Sequence, residues 1–258
     1  MNKINNINKK YAEYKKTRKV MDRKAIEPNK TKTTKRGLVI VPYRPDKLGE
    51  RIIHLKKFIN YFKTNLPDIN ILIVEQKSQT KKFNRGTLLN IGMKIGLKNY
   101  DYFITHDIDM LPKINNDFHM YYWTYPQLPL HMGYYNNKYN FWTFIGAVLS
   151  INKDDVKNTN GFPNNFWGWG GEDDALYNRL ALFNDCLWIP KTKSNYIELE
   201  HEHQDKKETT NHNKKKNILE DYHKIRNNNL KDGISSVKFK LINKKKYTNK
   251  INHIIVDF

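Results

Sequence analysis

Tyr102-Phe103-Ile104-Thr105-His106-Asp107-Ile108-Asp109 is the stretch that decides the fold. A short apolar run without alternation is the pattern of a strand buried on both faces. This one runs directly into two aspartates. Upstream, Leu38-Val39-Ile40-Val41 has the same character and is broken by Pro42-Tyr43-Arg44-Pro45. A helical pattern follows, with Ile52, Leu55, Phe58, Ile59 and Phe62 on one face. Pro67 ends it, and residues 69–74 read as a second strand. Phe83-Asn84-Arg85-Gly86 forms a turn, Thr87 is placed to cap a helix, and Leu88, Leu89, Ile91, Ile95 and Leu97 are its apolar positions. The order β-α-β-α-β predicts an α/β fold, a mostly parallel central sheet flanked by helices. In such sheets ligands bind beyond the carboxyl ends of the strands. Tyr43-Arg44 and the two aspartates both fall there.

Downstream, residues 121–142 are irregular and aromatic, 144–151 read as a strand and 153–158 as a short helix. Phe166-Trp167-Gly168-Trp169-Gly170-Gly171-Glu172-Asp173-Asp174 then sets tryptophans and glycines against three consecutive carboxylates. Adjacent like charges need a cation, a helix N-terminus or a reacting proton to justify them. Residues 172–182 have helical periodicity, so these acids fall in a first turn, where the helix dipole favours anions. Residues 204–232 are highly charged and read as a mobile loop with helical parts. Terminal strands are expected near 237–241 and 251–256.

The chain has 258 residues, enough for one α/β domain. Residues 1–36, rich in Lys, Arg and Asn, read as a mobile or partly helical basic tail, and 37–258 as a single catalytic domain. The net charge of +20 permits attraction to nucleic acid or phosphates. Lys and Asn are spread over every segment, however, which favours compositional drift over a dedicated nucleic-acid face. Cys186 is the one cysteine, so no intramolecular disulfide can form. No run approaches the ~20 apolar residues of a membrane span, and no secretory signal is present. The expectation is a soluble protein, cytoplasmic or in another reducing compartment.

Aspartates two apart at a strand end can divide two tasks, one binding a divalent cation and the other contacting a sugar or hydroxyl. His201 and His203 are also two apart and project from one face of an extended chain, so both can reach one metal. Mn²⁺ accepts oxygen and imidazole donors together. A metal held there can bridge a nucleotide diphosphate, with Arg44, Arg51 and Arg85 as further cationic contacts. The Glu172-Asp173-Asp174 run can supply a general base that takes a proton from a sugar hydroxyl. Trp167 and Trp169 can stack on a sugar ring, although core packing explains Trp167 equally well. The rival readings are a glycan- or nucleic-acid-binding module without activity and a metal-dependent phosphoesterase. The first is favoured only by charge, and the second does not account for the tryptophan-glycine segment.

These pieces, in their order along the chain, resemble the β-1,4-galactosyltransferases of glycosyltransferase family seven. The carriers are Val41-Pro42-Tyr43-Arg44, Phe83-Asn84-Arg85-Gly86, His106 through Pro112, Asn160-Gly161-Phe162-Pro163-Asn164, and Trp167 through Asp174. The His-Asp-x-Asp form and the His-x-His pair look most like the branch that galactosylates xylose in proteoglycan linkers. The resemblance implies a GT-A-type, Rossmann-like fold, a UDP-sugar donor, a glycan acceptor, Mn²⁺ and inversion at the anomeric carbon. It implies Asp109, His201 and His203 as metal ligands, Asp173 as the base, and Asp174, Glu172 and Trp169 at the acceptor. Pro42, Tyr43, Arg44, Phe83, Arg85, Asp107 and Ile108 would line the donor pocket, with Trp169 shared between donor and acceptor. Arg51 stands in for a second arginine displaced by an insertion at 45–50. The family's Tyr-x-Gly-Gly becomes Phe144-Ile145-Gly146-Ala147 here, which leaves galactose and N-acetylgalactosamine both open as the donor sugar. Animal members are Golgi-anchored with luminal disulfides, whereas this chain shows neither an anchor nor a cysteine pair.

Overall fold

The computed structural model describes residues 2–135, 143–168, 170–192, 196–200 and 211–258. Its centre is a six-stranded sheet. The strands are β2 (Gly37–Tyr43), β3 (Ile71–Gln76), β4 (Tyr102–His106), β6 (Val148–Asn152), β9 (Lys240–Lys246) and β10 (Ile251–Asp257), in the order β6-β4-β2-β3-β10-β9. The four strands from β4 to β10 run parallel, and β6 and β9 close the two edges antiparallel. The continuous apolar runs are buried on both faces as their sequence requires. Leu38 and Ile40 face one core, Val39 and Val41 the other.

Each face is covered by helices. Helix α2 (Glu50–Asn65) lays His54, Leu55, Phe58, Ile59 and Phe62 on one face, with Phe118, Tyr121 and Tyr122 of a 3₁₀ segment (Asn115–Trp123) beside them. Helices α3 (Arg85–Gly96), α4 (Lys153–Thr159) and α5 (Glu172–Phe183) cover the other. Gly92 lets α3 approach the sheet closely, since a Cβ there would lie 2.4 Å from the Ile40 side chain. The Asn84 side chain caps α3 by accepting from the Thr87 N–H at 2.9 Å. That contact fixes where Arg85, the first helical residue, begins.

The first 36 residues, expected as a mobile or partly helical basic tail, are helical in part and also add a strand. Residues Asn2–Thr17 form α1, and Asp22–Ile26 form β1, which pairs in parallel with β7 (Cys186–Pro190). Ile7, Tyr11 and Tyr14 make a helical stripe that packs against Phe166, Ala175, Ile218 and Leu219. The Tyr14 hydroxyl donates to Asn178 Oδ1 at 3.1 Å. The apolar stripe is real but diluted by the many Lys and Asn around it, so composition hides it. The charged 204–232 region has the helical part expected of it, α6 (Asn211–Arg226), while residues 204–210 lie outside the described residues. Asp221 of α6 grips the buried Arg179 of α5 through two bonds, 2.6 Å and 3.2 Å. Arg179 also donates to the carbonyls of Thr159, Gly161 and Asp232, so one buried guanidinium joins α5 and α6 to the loops after α4 and α6. Among the described residues no helix is long and apolar enough to cross a membrane.

Candidate active site

The site is built where β4 ends. His106 is wholly buried, with Nε2 2.6 Å from the Tyr122 hydroxyl and Nδ1 2.8 Å from the Asp107 carbonyl. Burial drops its pKa to about 4, so the ring is neutral and serves as a peg for the turn that follows. The Asp107 N–H donates to the Ala147 carbonyl at 3.0 Å, which fixes that turn against the start of β6. Ala147 has φ 62, the left-handed region. The resembling family has glycine at this position, and alanine there carries a strain of about 1–2 kcal/mol.

Arg85 organises the carboxylates. Its Nε donates to Asp107 Oδ1 at 2.9 Å and its Nη1 to Asp173 Oδ1 at 2.9 Å, with Glu172 Oε1 3.7 Å away. Its side chain is only 12% exposed. Burial opposes its charge, but Asp107, Asp173 and Glu172 outweigh that and raise its pKa. Burial in turn pushes Glu172 and Asp173 upward, and Arg85 pulls both back. One guanidinium therefore ties the strand-end acid to the helix-start acids, positions 22 and 88 residues away from it in sequence.

The carboxylates reach this point because the backbone turns sharply before α5. Gly170 and Gly171 have φ 86 and 100, values that a side chain rarely adopts. The Gly168 N–H donates to the Phe83 carbonyl at 2.8 Å and anchors the turn beside α3. Asp173 Oδ2 and the Phe144 ring both lie 2.6 Å from where a Cβ on Gly146 would be. His131 steadies that wall. Its Nε2 lies 3.0 Å from the Gly146 carbonyl and its ring meets Phe144 edge-on at 5.5 Å. Burial holds His131 at a pKa of about 3, so it is neutral and Nε2–H donates.

Asp109 is buried to 9% exposure. Burial, and secondarily the charge of Asp107, raises its pKa, while Arg51 acts in the opposite direction. A buried carboxylate of this kind favours a cation partner. Strand β5 (Met110–Pro112) pairs with β8 (Tyr196–Glu198), and the Leu199 N–H donates to the Asp109 carbonyl at 2.8 Å. The described chain thus passes Asp109 and runs to Glu200. His201, His203 and Trp169 lie outside the described residues. Among the described residues no group of three or more His, Cys, Asp or Glu is poised to hold a metal. The donor chemistry at Asp109, a buried carboxylate oxygen, fits a hard divalent cation.

The residues expected to line the donor pocket are placed as follows. Pro42 and Tyr43 end β2, and Arg44 donates to the Lys81 carbonyl at 2.7 Å with its guanidinium 5.5 Å from the Phe83 centroid. Arg51 is near enough to influence both Asp109 and Tyr43. Ile108, however, gives its side chain to the α2-side core. Asp107 is committed to Arg85 as well as facing the site. On the acceptor side, Asp174 is 9% exposed, with Lys214 Nζ 3.7 Å away. Trp167 is not core: it is 38% exposed and stacks on Phe258 at 5.8 Å. Sequence reasoning missed Lys214, one of three successive lysines, and Phe258, for neither of which the chain carries a local signal.

Comparisons with known proteins follow this geometry. A family model described as the N-terminal region of glycosyl transferase group 7 matches residues 2–124, and one described as the N-terminal domain of galactosyltransferase matches 127–202. β-1,4-galactosyltransferase 1 of Bos taurus is 32% identical over 219 residues, covering 81% of this chain and 51% of that protein. β-1,4-galactosyltransferase 4 of Homo sapiens is 30% identical over 245 residues, covering 92% and 68%. The chain thus spans about half the length of several of the curated relatives it matches. The catalytic domain of Drosophila β1,4-galactosyltransferase 7, solved with xylobiose, superposes with a TM-score of 0.71 at 24% identity, covering 87% of this chain and 93% of that one. A mutant of that enzyme, in complex with manganese, UDP-Gal and xylobiose, superposes at 0.67 with 22% identity, covering 86% and 93%. The fold is therefore the GT-A-type one expected. The expectation of a reducing compartment is overturned: the matches are to the animal enzymes of the group described above as Golgi-anchored and luminal. With only part of such relatives spanned, the lack of an apolar run here assigns no compartment.

Proposed function

The chain belongs to the β-1,4-galactosyltransferase family, glycosyltransferase group 7, and we propose that it is an inverting, metal-dependent glycosyltransferase. Its donor is a UDP-sugar, galactose or N-acetylgalactosamine, and its acceptor is a glycan hydroxyl, with a β-1,4 linkage as the product. The observation that carries this reading is the Arg85 bridge, which holds Asp173 in place beside the strand-end Asp107.

Asp173 accepts the acceptor's hydroxyl proton as that oxygen bonds to the donor's anomeric carbon. The bond from that carbon to the β-phosphate oxygen breaks, its electron pair leaves with UDP, and the configuration inverts. Arg85 keeps Asp173 aimed and Glu172 and Asp174 flank it, with Trp169 assigned to donor and acceptor. Pro42, Tyr43, Arg44, Arg51 and Phe83 hold the nucleotide. The metal, for which Asp109, His201 and His203 are the proposed ligands, supplies positive charge to the diphosphate when bound. Manganese in a solved relative makes Mn²⁺ the first choice.

UDP release tests this directly. Release from UDP-galactose in the presence of a sugar acceptor is expected to need Mn²⁺ and to be lost in Asp109→Ala. The same variant is expected to lose metal-dependent UDP binding by calorimetry. Unchanged UDP affinity in Asp109→Ala would remove it from the metal site.

A further inference from the structure

Gln76 is the last residue of β3, at the carboxyl end of the parallel strands. Leu72 and Val74 face the core under α3, and Gln76 continues their row on that face. It is 1% exposed, so it acts on a ligand only through its neighbours. A buried amide must find partners for both its ends. Gln76 finds them in the loop that joins β3 to α3. Its Oε1 accepts from the Asn84 N–H at 3.0 Å. Its Nε2 donates to the Lys82 carbonyl at 3.0 Å and to the Ser78 carbonyl at 3.3 Å. The Lys82 carbonyl and the Asn84 N–H flank Phe83, and in an extended chain those two groups point to the same side. One side-chain amide thus pairs with the backbone around Phe83 as a neighbouring strand would. The Phe83 carbonyl itself takes the Gly168 N–H at 2.8 Å. The same loop receives Arg44, whose Nη1 donates to the Lys81 carbonyl at 2.7 Å and whose guanidinium lies 5.5 Å from the Phe83 centroid. Two further bonds of the loop, from the Lys77 N–H to the Val256 carbonyl and from the Lys81 N–H to Ser78 Oγ, leave the backbone beside Phe83 to Gln76.

We propose that Gln76 is a positioning residue for the donor: its amide holds Phe83, and through the Lys81–Lys82 backbone the perch of Arg44, in the arrangement that receives the nucleotide. This rests on the transferase reading, which assigns Phe83 and Arg44 to the nucleotide, and adds a residue that no ligand contact would reveal. The cap of α3 is a separate bond, from the Thr87 N–H to Asn84 Oδ1. Losing the Nε2 bonds of Gln76 therefore bears on the nucleotide and spares the start of α3, from which Arg85 reaches Asp107 and Asp173.

Gln76→Glu tests it, because the variant changes with pH. Its ionised carboxylate still accepts from Asn84 but turns an oxygen toward the Lys82 and Ser78 carbonyls. Its protonated form donates again. Burial and the two carbonyls favour the neutral acid, so the defect appears as pH rises and fades as it falls. UDP affinity in the presence of Mn²⁺ is measured by calorimetry on the full chain, parent and variant, from about pH 5.5 to about pH 8.5. The ratio of variant to parent Kd is expected to be near one at the lower end and about tenfold at the upper, the size of one lost hydrogen bond. At the upper end KM for UDP-galactose is expected to rise by a similar factor, with kcat at saturating donor and KM for the sugar acceptor within about twofold of the parent. Gln76→Met, of similar shape and without bonds, is expected to weaken UDP binding at every pH with no trend. A Kd ratio of one throughout in both variants overturns the proposal and leaves the transferase reading intact. A fall in kcat with KM for the donor unchanged also overturns it, since the effect then falls on Asp173. Loss of binding in both variants together with loss of the thermal unfolding transition makes Gln76 a residue of the fold alone and overturns it likewise. No UDP binding by the parent counts against the transferase reading itself and takes this inference with it.

Discussion

The Asp173 carboxylate rests against the bare Cα of Gly146: a Cβ on Gly146 would lie 2.6 Å from Asp173 Oδ2. The contact joins the two halves of the site, the wall after the irregular aromatic segment and the first turn of α5. It also sets how far Asp173 stands from anything bound against Phe144, whose ring fills the other side of the same glycine.

Gly146→Ala is therefore expected to displace Asp173 and Phe144 without unfolding the protein. Misplacing a catalytic group by about 1 Å can cost about 10²-fold in rate. Steady-state kinetics with UDP-galactose should show a fall of that order in kcat, with UDP affinity little changed. A variant as active as the parent would mean that Asp173 tolerates the shift and is not held to a fixed position.

Asp221→Ala should be among the most destabilising single changes in the chain. It leaves the buried guanidinium of Arg179 without its carboxylate, and breaking a buried pair in this way typically costs about 3–5 kcal/mol. Arg179 is 1% exposed and cannot turn to water. Urea unfolding should show the loss, and limited proteolysis should open α6 first. A destabilisation below about 1 kcal/mol would show that the carbonyl bonds of Arg179 suffice by themselves.

Phe144 should leave the donor pocket tolerant of an N-acetyl group. The resembling family has a tyrosine here, whose hydroxyl crowds the acetamide. Phe144 keeps the ring beside Gly146 and lacks the hydroxyl. One such contact is worth about 1–3 kcal/mol of discrimination. UDP-galactose and UDP-N-acetylgalactosamine should compete within a modest ratio, and Phe144→Tyr should restore a preference for galactose. Complete rejection of UDP-N-acetylgalactosamine by the parent, unaltered in Phe144→Tyr, would place donor choice elsewhere.

The parts of the fold that were legible in sequence are those whose burial is continuous. The runs at Leu38–Val41 and at Tyr102–Thr105 could only be inner strands, and they are. Helix α1 was legible only as a mobile or partly helical segment, because Ile7, Tyr11 and Tyr14 are spaced correctly but surrounded by Lys and Asn, and its packing depends on α6 being present to receive it. The terminal strand expected near 237–241 lies a few residues later, as β9, which is exposed along its whole length and reads Lys-Leu-Ile-Asn-Lys-Lys-Lys. Edge lysines of this kind guard against pairing with another chain, and they also blur where the strand begins and ends.

In the site, the acids at 107, 109 and 172–174 were legible because their types and positions are unusual. What the sequence could not convey was how they are divided. Asp107 and Asp173 share Arg85, and Asp174 faces Lys214 across the Gly170–Gly171 turn. Those pairings depend on where α3, α5 and α6 dock, which no local pattern states. Gly146 was visible only as a neighbour of the Phe144 departure. Its closeness to Asp173 depends on where the segment before β6 meets the first turn of α5.

The most direct test of the central claim is Asp173→Asn, which keeps the shape and the bond to Arg85 but removes the proton acceptor. UDP and Mn²⁺ binding, measured by calorimetry, should match the parent, while transfer to acceptor should fall by about 10²–10⁴-fold, the usual contribution of a general base. Transfer at the parent rate with intact donor binding would contradict the account and require another residue to take the proton.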